Sequence, residues 1–430
     1  ITEENREKIS HGSDGKFIVA LPRLKLKEIE KWLSCRDVVS PDDEPGPIDT
    51  PLMDNILYDW HRQIINFCRE KRQIFLYKMP WPSGKSLALS ISHDVDLTRK
   101  YGIKALITAG LKGRLTEFRD YFRKSVYQDN IYWNFDEFLN FYRMKEFKSS
   151  FFFIARSWEG RQYRYNINTQ KFRKLFREIS EAGHEIGLHS SRYAFDFPER
   201  IASEKAKLEE NAGRPVTGVR QHYLRLMFPQ AWKYFGNAGF YYDSSCGYNK
   251  RPGFRAATSF PFRTRTDETH QENLLWEIPF SIMDYSWFYR KEDGNEVFRD
   301  IVKKIEQTGG LVHVLWHPSN LAEKTFHPLW SELIDWMEKK EFYNDTLHQI
   351  AVWREKRSGV NSPGLTNSDD FLEFILKTEQ VVSDLSLGIL SPKSFVPDPS
   401  LVLLERPDHY QLTIPTLNPG EHLFRLKYNN

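Results

Sequence analysis

The stretch most suited to chemistry is residues 92–96, Ser-His-Asp-Val-Asp, because it places one imidazole and two carboxylates within four consecutive positions. It directly follows the apolar run 87–91, which is typical of a buried strand, so its charged residues are predicted at or just beyond a strand end. Barrels and open parallel sheets place their catalytic groups there. Two such close carboxylates repel unless a positive group holds them, and a divalent cation commonly does so. An aspartate turn capping the next helix is the structural alternative.

Similar residue types stand at the ends of later predicted strands. His189 ends one strand, His222 ends the next within Arg-Gln-His-Tyr (220–223), Asp243 ends another, and His317 follows the last. A satisfied core histidine or a capping aspartate explains any one of these endings. Five such endings in one series, counting residues 94–96, indicate instead that they belong to a single site.

Strands and helices that would position these residues are predicted to alternate regularly from Ser86 onward. Short apolar strands are predicted at 87–92, 150–155, 185–189, 218–222, 240–243, 275–282 and 311–316. Helical patterns are predicted at 135–145, 169–182, 201–211, 229–238, 296–307 and 347–356. Strands that alternate with helices of this length predict an α/β fold, either a (β/α) barrel or a related open sheet.

The segments before and after these alternating elements are predicted to form separate parts of the protein. Residues 1–85 are predicted to be an N-terminal helical extension, with helical patterns at 24–33 and 52–68. The barrel takes residues 86–357. Residues 358–368 read as a linker rich in Ser, Gly, Asn and Pro, and the chain to residue 430 as a small C-terminal β module. A basic stretch at 98–124 is predicted to be a solvated helix face, with peripheral contact to an anionic membrane surface or glycan as the alternative.

The overall composition limits the classes of molecule that the chain is expected to bind. The 430 residues are 40% hydrophobic and 15% aromatic, which favours a well-filled globular core. The 61 Lys and Arg nearly balance the 58 Asp and Glu, and a net charge of +3 gives no electrostatic case for nucleic acid. No apolar run approaches the roughly 18 residues of a transmembrane helix.

Cysteine usage bears on the compartment. The three cysteines have no CxxC spacing, which argues against a disulfide framework or structural zinc site and favours a reducing, cytoplasmic compartment. The chain begins with Ile1, so an upstream targeting signal would not be visible.

The order of the motifs resembles the polysaccharide deacetylase family, the NodB-homology carbohydrate esterases, over about residues 86–356. The residues similar to the family's five ordered motifs are 92–96, 183–193, 220–223, Asp243 and 315–317. The resemblance implies a distorted (β/α) barrel and a metal-dependent removal of N-acetyl or O-acetyl groups from a sugar.

The resemblance also implies roles for individual residues. Asp94 corresponds to the general base, His317 to the general acid and His189 to a metal ligand. Arg220 would orient the base, the backbone N–H of Tyr223 would stabilise an oxyanion, and Asp243 fits the fourth motif.

Two positions depart from the family pattern. Val95 stands where the family has its metal-binding aspartate, and Tyr193 stands where it has a second histidine. We therefore expect Asp96 and His222 to complete a three-ligand site with His189, as in catalytic zinc centres. Co²⁺, Ni²⁺ and Mn²⁺ are alternatives to Zn²⁺, and a ligand set that includes Asp94 stays open, as does a site that binds metal weakly.

The predicted function is a metal-dependent deacetylase acting on N-acetylated amino sugars of a cell-envelope or capsular polysaccharide, or of its precursor. The alternatives are hydrolysis of another C–N bond, such as a formyl or cyclic amide, and a catalytically inactive glycan-binding protein. No GxSxG motif supports a serine hydrolase.

Two further sets of residues each have two interpretations. Asp284 is expected in either the cleft or a loop salt bridge, and Trp287, Phe288 and Tyr289 either stack on sugar or pack in the core.

Overall fold

A computed structural model describes residues 2–3, 8–11, 17–21, 23–35, 48–98, 132–156, 165–265, 272–288, 294–396 and 401–429. The basic stretch predicted after Thr98 lies outside these residues, as does Tyr289. Among the helices that are described, none combines the length and the apolarity needed to cross a bilayer.

The predicted α/β architecture is confirmed by a ten-stranded central sheet. Its strands are β5 (Ala88–Val95), β6 (Ser149–Phe153), β7 (Glu185–Ser190), β8 (Gly218–Gln221), β9 (Tyr242–Asp243), β10 (Phe262–Arg265), β11 (Glu272–Glu277), β12 (Ile282–Met283), β13 (Leu311–Leu315) and β14 (Tyr343–Asn344). The order is β10-β11-β9-β8-β7-β6-β5-β13-β12, with β14 also paired to β5. All pairs are parallel except β10 with β11.

The sheet curls like a barrel but stays open, since no pairing joins β11 to β12 in the described ranges. The segment between β11 and β12 is held by a backbone hydrogen bond on each side: Phe280 N–H donates to the Cys246 carbonyl, after β9, at 3.2 Å, and Ser281 N–H donates to the His313 carbonyl, in β13, at 3.2 Å. The single predicted strand 275–282 is thus two short strands, because Pro279 lies between them and lacks an N–H for the ladder.

Helices cover the outside of the sheet, as expected when parallel strands are joined by crossover connections. They are α3 (Phe135–Met144), α4 (Gln170–Glu181), α5 (Pro198–Ala212), α6 (Gln230–Asn237), α7 (Asp284–Phe288), α8 (Gly294–Thr308), α9 (Pro318–Leu321), α10 (His327–Glu338) and α11 (Leu347–Gly359). The six helices predicted in this region each match one of these within a few residues. Helices α7, α9 and α10 were not predicted.

The two-residue alternation of β5 separates two chemical environments. Asp94 faces the barrel interior, where it meets Arg220. His93 faces the helix layer, where its Nδ1 lies 2.9 Å from the Trp316 carbonyl and its Nε2 2.6 Å from the Tyr142 hydroxyl. Burial lowers the pKa of His93 to about 3, so this imidazole is a neutral core residue.

The described N-terminal part contains three short strands and two helices. The strands are β1 (Thr2–Glu3), β2 (Lys8–His11) and β3 (Phe17–Leu21), and the helices are α1 (Arg23–Ser34) and α2 (Leu52–Glu70). Strand β4 (Phe75–Lys78) pairs with none of these strands. It lies antiparallel to a strand near the other end of the chain, β17 (Val382–Leu390).

Two further sheets follow the barrel. Their strands are β15 (Asn361–Asn367), β16 (Phe371–Thr378), β17, β18 (Val402–Glu405), β19 (Tyr410–Leu417) and β20 (Gly420–Lys427), in the orders β15-β16-β20 and β18-β19-β17-β4. The stretch 358–368, predicted as a linker, instead holds the edge strand β15, whose Pro363 lies where the register with β16 shifts. The predicted domain boundaries at 85/86 and 357/358 stay predictions.

One buried carboxylate fixes the loop that leaves β7. Glu204 of α5 is fully buried and accepts hydrogen bonds from Ser190 Oγ at 3.1 Å, from Ser191 N–H at 2.9 Å and from Ser191 Oγ. We expect Glu204→Ala to lower the free energy of unfolding by about 3 kcal/mol, because it leaves several buried donors unpaired. Urea denaturation measures this difference. The matched control is Glu210→Ala on the exposed side of the same helix, and an equal loss in both variants would contradict the assignment.

Candidate metal centre and active site

Three side chains converge at the carboxyl ends of neighbouring strands. Asp96 follows β5, His189 lies in β7 and His222 follows β8. Asp96 Oδ1 is 3.2 Å from His189 Nε2 and 3.3 Å from His222 Nε2. One ligand atom from each of the three residues lies within 4.8 Å of the other two. The structure thus brings together the three residues predicted as metal ligands.

The donor set and its hydrogen bonding fit a divalent cation. His189 Nδ1 lies 3.0 Å from the Arg220 carbonyl and donates to it, which leaves the lone pair of Nε2 facing Asp96. Asp96 Oδ1 is buried, and the polar atoms close to it are the Nε2 atoms of His189 and His222. One carboxylate oxygen and two imidazole nitrogens, with a fourth position left for water, are the ligands of a catalytic zinc site.

Protons compete with a cation for these ligands. Burial would lower the pKa of His189, but the Asp94 and Asp96 carboxylates outweigh burial and raise it. Burial likewise would raise the pKa of Asp96, yet His222 and His189 hold it well below its ordinary value. The pKa of His222 is lowered by burial, against the pull of Asp96. The carboxylate is therefore ionised, and it faces two imidazoles of which one readily carries a charge.

Asp94 lies beside this cluster and is held as a carboxylate. Its Oδ1 accepts from Arg220 Nη1 at 2.8 Å, and its Oδ2 is 3.6 Å from His189 Nε2. Burial would raise the pKa of Asp94, but the Arg220 guanidinium, with His189 and His317, outweighs burial and lowers it. An ionised carboxylate next to a candidate metal site can accept a proton from a water molecule bound there.

Arg220 crosses the barrel interior and is completely buried. Besides Asp94, its Nε donates to the Ser244 carbonyl at 2.7 Å and its Nη2 to Ser244 Oγ at 2.8 Å. The guanidinium stacks over the Phe152 ring, with 4.4 Å from Cζ to the ring centroid. Ser244 follows β9 and Phe152 lies in β6, so residues on both sides of β8 hold the guanidinium in place. The guanidinium in turn positions Asp94.

His317 lies on another side of the cluster and forms a dyad with Asp284. Its Nδ1 lies 2.8 Å from Asp284 Oδ1, and its backbone N–H donates to Asp284 Oδ2 at 2.7 Å. Its Nε2 points back to the cluster, 3.7 Å from Asp96 Oδ2. Burial would lower the pKa of His317, but Asp284, followed by Asp96 and Asp94, raises it to about 9. The imidazole therefore carries a proton at neutral pH and can donate it.

Asp284 is the functional residue that the sequence analysis left undecided. Its Oδ2 also accepts from Asn320 Nδ2 at 2.8 Å, and the residue begins α7 directly after β12. A carboxylate directly after a strand was the same signal that singled out Asp94 and Asp96. The predicted strand 275–282 already ended close to Asp284, but only the contact with His317 distinguishes a residue of the site from a loop salt bridge.

Asp243 lies away from this dyad, on the β9 side of the barrel. It is buried, its Oδ1 accepts from Ser245 Oγ at 2.6 Å, and its carboxyl faces that of Glu277. Glu277 in turn accepts from Trp232 Nε1 at 2.9 Å and from Cys246 N–H at 3.0 Å. The described contacts of Asp243 thus place it in a buried pair of carboxyls, while Asp284 is the aspartate that contacts His317.

The other candidate residues differ in their exposure to solvent. Tyr223 has a left-handed backbone conformation with φ of 60° directly after His222, and its side chain is 58% exposed. Tyr193 lies in the loop after β7, with its ring 5.5 Å from the Arg192 guanidinium. Trp287 is fully buried and stacks on Phe298, so it packs in the core, whereas Phe288 is 39% exposed.

No protein-family model and no curated protein matches this chain. Several solved structures are similar to part of this chain. A candidate polysaccharide deacetylase from Mycobacterium smegmatis has 18% identity and a TM-score of 0.45, covering 68% of this chain and 98% of that one. Puue allantoinase has 15% identity and a TM-score of 0.44, covering 64% and 92%. A candidate polysaccharide deacetylase from Pseudomonas aeruginosa PAO1 has 14% identity and a TM-score of 0.44, covering 64% and 93%.

The buried pair of Asp243 and Glu277 makes stability depend on pH. Burial raises the pKa of Asp243 to about 6, and burial with the neighbouring Asp243 raises that of Glu277 well above its ordinary value. Both carboxyls hold protons more tightly in the folded chain than in the unfolded one. The stability that the pair contributes is therefore complete below about pH 4 and is lost as the pH rises through about 6.

The variant Asp243→Asn tests this assignment. An asparagine still accepts from Ser245 and can donate its N–H to an ionised Glu277, so the pair no longer needs a proton. We expect the free energy of unfolding of the unsubstituted protein to fall by about 3 kcal/mol more than that of the variant between pH 4 and pH 7, since each pKa unit is worth about 1.4 kcal/mol. Urea denaturation across this range gives both values, and parallel pH profiles would contradict the raised pKa of the buried pair.

Proposed function

We propose that this protein is a metal-dependent hydrolase that removes acetyl groups from an acetylated carbohydrate. The supporting observation is the convergence of Asp96, His189 and His222 on one point, with the Asp94–Arg220 pair and the His317–Asp284 dyad on either side of it. A barrel that only binds glycan has no need for an ionised base and a charged acid at the same cluster. This arrangement therefore favours hydrolysis over binding alone.

In this proposal Asp96, His189 and His222 hold the divalent cation, with zinc as the first choice and Co²⁺, Ni²⁺ or Mn²⁺ as alternatives. When bound, such a cation lowers the pKa of a water molecule to about 7 and polarises a carbonyl oxygen. The side chains of this chain then supply the proton transfers.

Asp94 acts as the general base. Arg220 keeps it ionised and fixes one of its oxygens, while the other lies 3.6 Å from His189 Nε2 and so faces the ligand cluster. General-base catalysis of this kind contributes about 10²- to 10⁴-fold to a rate. The backbone N–H of Tyr223 is the proposed donor to the oxyanion, in addition to the cation.

His317 acts as the general acid. Asp284 accepts from its Nδ1 and so aims Nε2 at the cluster, which is the orientation that a proton donor to a leaving group needs. An amine leaves far more readily when it is protonated, whereas an alcohol depends less on this step. The charged His317 thus favours an N-acetylated amino sugar over an O-acetylated one.

Aromatic side chains support a sugar substrate. Tyr223 and Phe288 expose 58% and 39% of their surface. Tyr285 meets the His317 ring edge-on at 4.9 Å between centroids. Exposed aromatic faces beside a polar site suit a sugar ring with apolar faces and hydroxyl edges. We extend the proposal to a cell-envelope or capsular polysaccharide, or its precursor, as the source of that sugar.

Acetate release tests the proposal. Purified protein supplied with Zn²⁺ is expected to release acetate from N-acetylglucosamine oligomers, and a chelator is expected to abolish release until metal is restored. A different C–N hydrolase would be indicated if the protein releases no acetate but does release formate from a formylated sugar or open a cyclic amide. Sugar binding with neither metal nor hydrolysis would indicate a binding protein and overturn the proposal.

Metal content tests the ligand set independently of the substrate. We expect Asp96→Asn and His222→Ala each to weaken zinc binding at least tenfold, because each removes one of three protein ligands. Zinc competition with a chromophoric chelator measures this change. His348→Ala, at a half-buried histidine outside the cluster, is the matched control. Unchanged zinc affinity in both ligand variants would refute the ligand assignment.

The dyad gives a separate expectation for turnover. Asp284→Asn should lower kcat by about 10²- to 10⁴-fold, since the amide can orient His317 in the wrong tautomer and no longer stabilises its charge. Zinc content should stay unchanged, because Asp284 does not belong to the ligand set. Asp335→Asn, at an exposed aspartate, is the control. Near-normal kcat in Asp284→Asn would exclude His317 from proton transfer.

A further inference from the structure

A cavity of about 470 Å³ lies on the side of the barrel away from the candidate metal centre. Its walls come from α2, β4, the loop around Phe260 and helix α11. Thr308, just before β13, also lines it, and Trp81 Nε1, just before β5, donates to the Gly309 carbonyl at 2.8 Å. The cavity therefore lies at the amino ends of β5 and β13, whereas Asp96 and His317 follow their carboxyl ends.

Three cationic side chains line this cavity, namely Lys78, Arg354 and Arg357. Lys78 Nζ donates to the carbonyls of Arg357 and Val360 at 2.8 Å each. Arg357 donates from Nε to the Met79 carbonyl and from Nη2 to the Lys78 carbonyl, both at 2.7 Å. Neither cation pairs with a carboxylate in the described part of the chain, so their contacts hold the side chains in place and leave their charges uncompensated.

Arg354 has still fewer partners. Its Nε is buried and makes no hydrogen bond to any described residue, and its guanidinium contacts the Phe260 ring at 5.3 Å from the centroid. Burial, with Arg357 nearby, lowers its pKa to about 9. The same causes, burial first and then Arg357 and Arg354, lower the pKa of Lys78 to about 8. These cations repel one another inside a partly enclosed space.

The acidic residue at the cavity does not neutralise them by contact. Asp54 accepts from Thr258 Oγ1 at 2.5 Å, from Ser259 N–H at 2.8 Å and from Ser259 Oγ at 2.6 Å. Its oxygens are thus already used by three donors. Burial raises the pKa of Asp54, against these hydrogen bonds and the attraction of Arg354, so of the three cations only Arg354 has this carboxyl group as an electrostatic neighbour. His61 favours its neutral form, because burial lowers its pKa, and its ring packs on Tyr77 with 4.6 Å between the ring centroids.

Much of the remaining wall is apolar. It includes Met53, Leu57, Pro80, Phe260 and Phe262. Small-molecule sites are typically cavities of about 300–1,000 Å³ with mostly apolar walls and a few convergent polar groups. Buried polar groups without partners are rare in native structures, and a bound ligand is one explanation for such a group.

We propose that this cavity binds an organic anion with an apolar body, whose carboxylate or phosphate group pairs with Arg354, Arg357 and Lys78. The Arg354 guanidinium can donate two parallel hydrogen bonds to such a group, while Arg357 and Lys78 add positive charge beside it. The apolar body would lie against Met53, Leu57 and Phe260. This site is separate from the candidate active site, and the proposal does not depend on the activity assigned there.

Calorimetric titration with octanoate tests the proposal, with octanamide as the neutral counterpart of equal shape and octyl phosphate as the phosphate counterpart. We expect octanoate or octyl phosphate to bind at least tenfold more tightly than octanamide. Tighter binding of one of the two anions identifies the carboxylate or the phosphate as the preferred head group. We expect Arg354→Met to weaken the preferred anion at least tenfold, because it keeps the apolar stem and removes the charge.

Two further variants keep the test informative. Lys78→Met should weaken the same anion, and Arg354→Lys should retain part of the binding, which separates a charge effect from misfolding. Arg214→Met, at an exposed arginine elsewhere, is the control. Circular dichroism verifies that each variant is folded. The proposal would be overturned if neither anion binds, if octanamide binds equally well, or if Arg354→Met and Lys78→Met leave the affinity unchanged. Bromine anomalous diffraction from crystals with 8-bromooctanoate locates the ligand directly, and a position outside this cavity would also overturn the proposal.

Discussion

The ion pair between Arg220 and Asp94 is the interaction on which the rest of the site depends. Both groups are buried, and a charge removed from water is tolerated only when partners replace the lost hydration. Arg220 obtains those partners from Asp94, from Ser244 and from the Phe152 ring. Its backbone carbonyl also accepts from His189, so one residue positions both the base and a metal ligand.

The parallel register of the sheet brings the remaining groups to the same place. Neighbouring strands end at one edge, so Asp96 and His317, which are more than two hundred positions apart, come within 3.7 Å of each other. The gap between β11 and β12 matters here, because α7 begins immediately after β12 and presents Asp284 to His317. Carboxylate and imidazole pairs then set opposite charge states, an ionised Asp94 and a protonated His317, within a single cluster.

Much of this could be predicted from residue types and periodicity. The strand ends at Asp94, His189 and His317 are recognisable because each follows a short apolar run. Two features escaped prediction for physical reasons. The role of Asp284 depends on its contact with His317, which is 33 positions away in the sequence and cannot be predicted from residue types. The edge strand β15 is rich in exposed polar residues, and only its pairing with β16 distinguishes it from a linker.

The central claim is that Asp96, His189 and His222 share one cation. X-ray absorption at the zinc edge of the metal-loaded protein measures this directly. We expect two imidazole nitrogens and one or two oxygens at about 2.0–2.2 Å, with the imidazole signal reduced in His222→Ala. Zinc bound without histidine, or a spectrum unchanged by that substitution, would contradict the account.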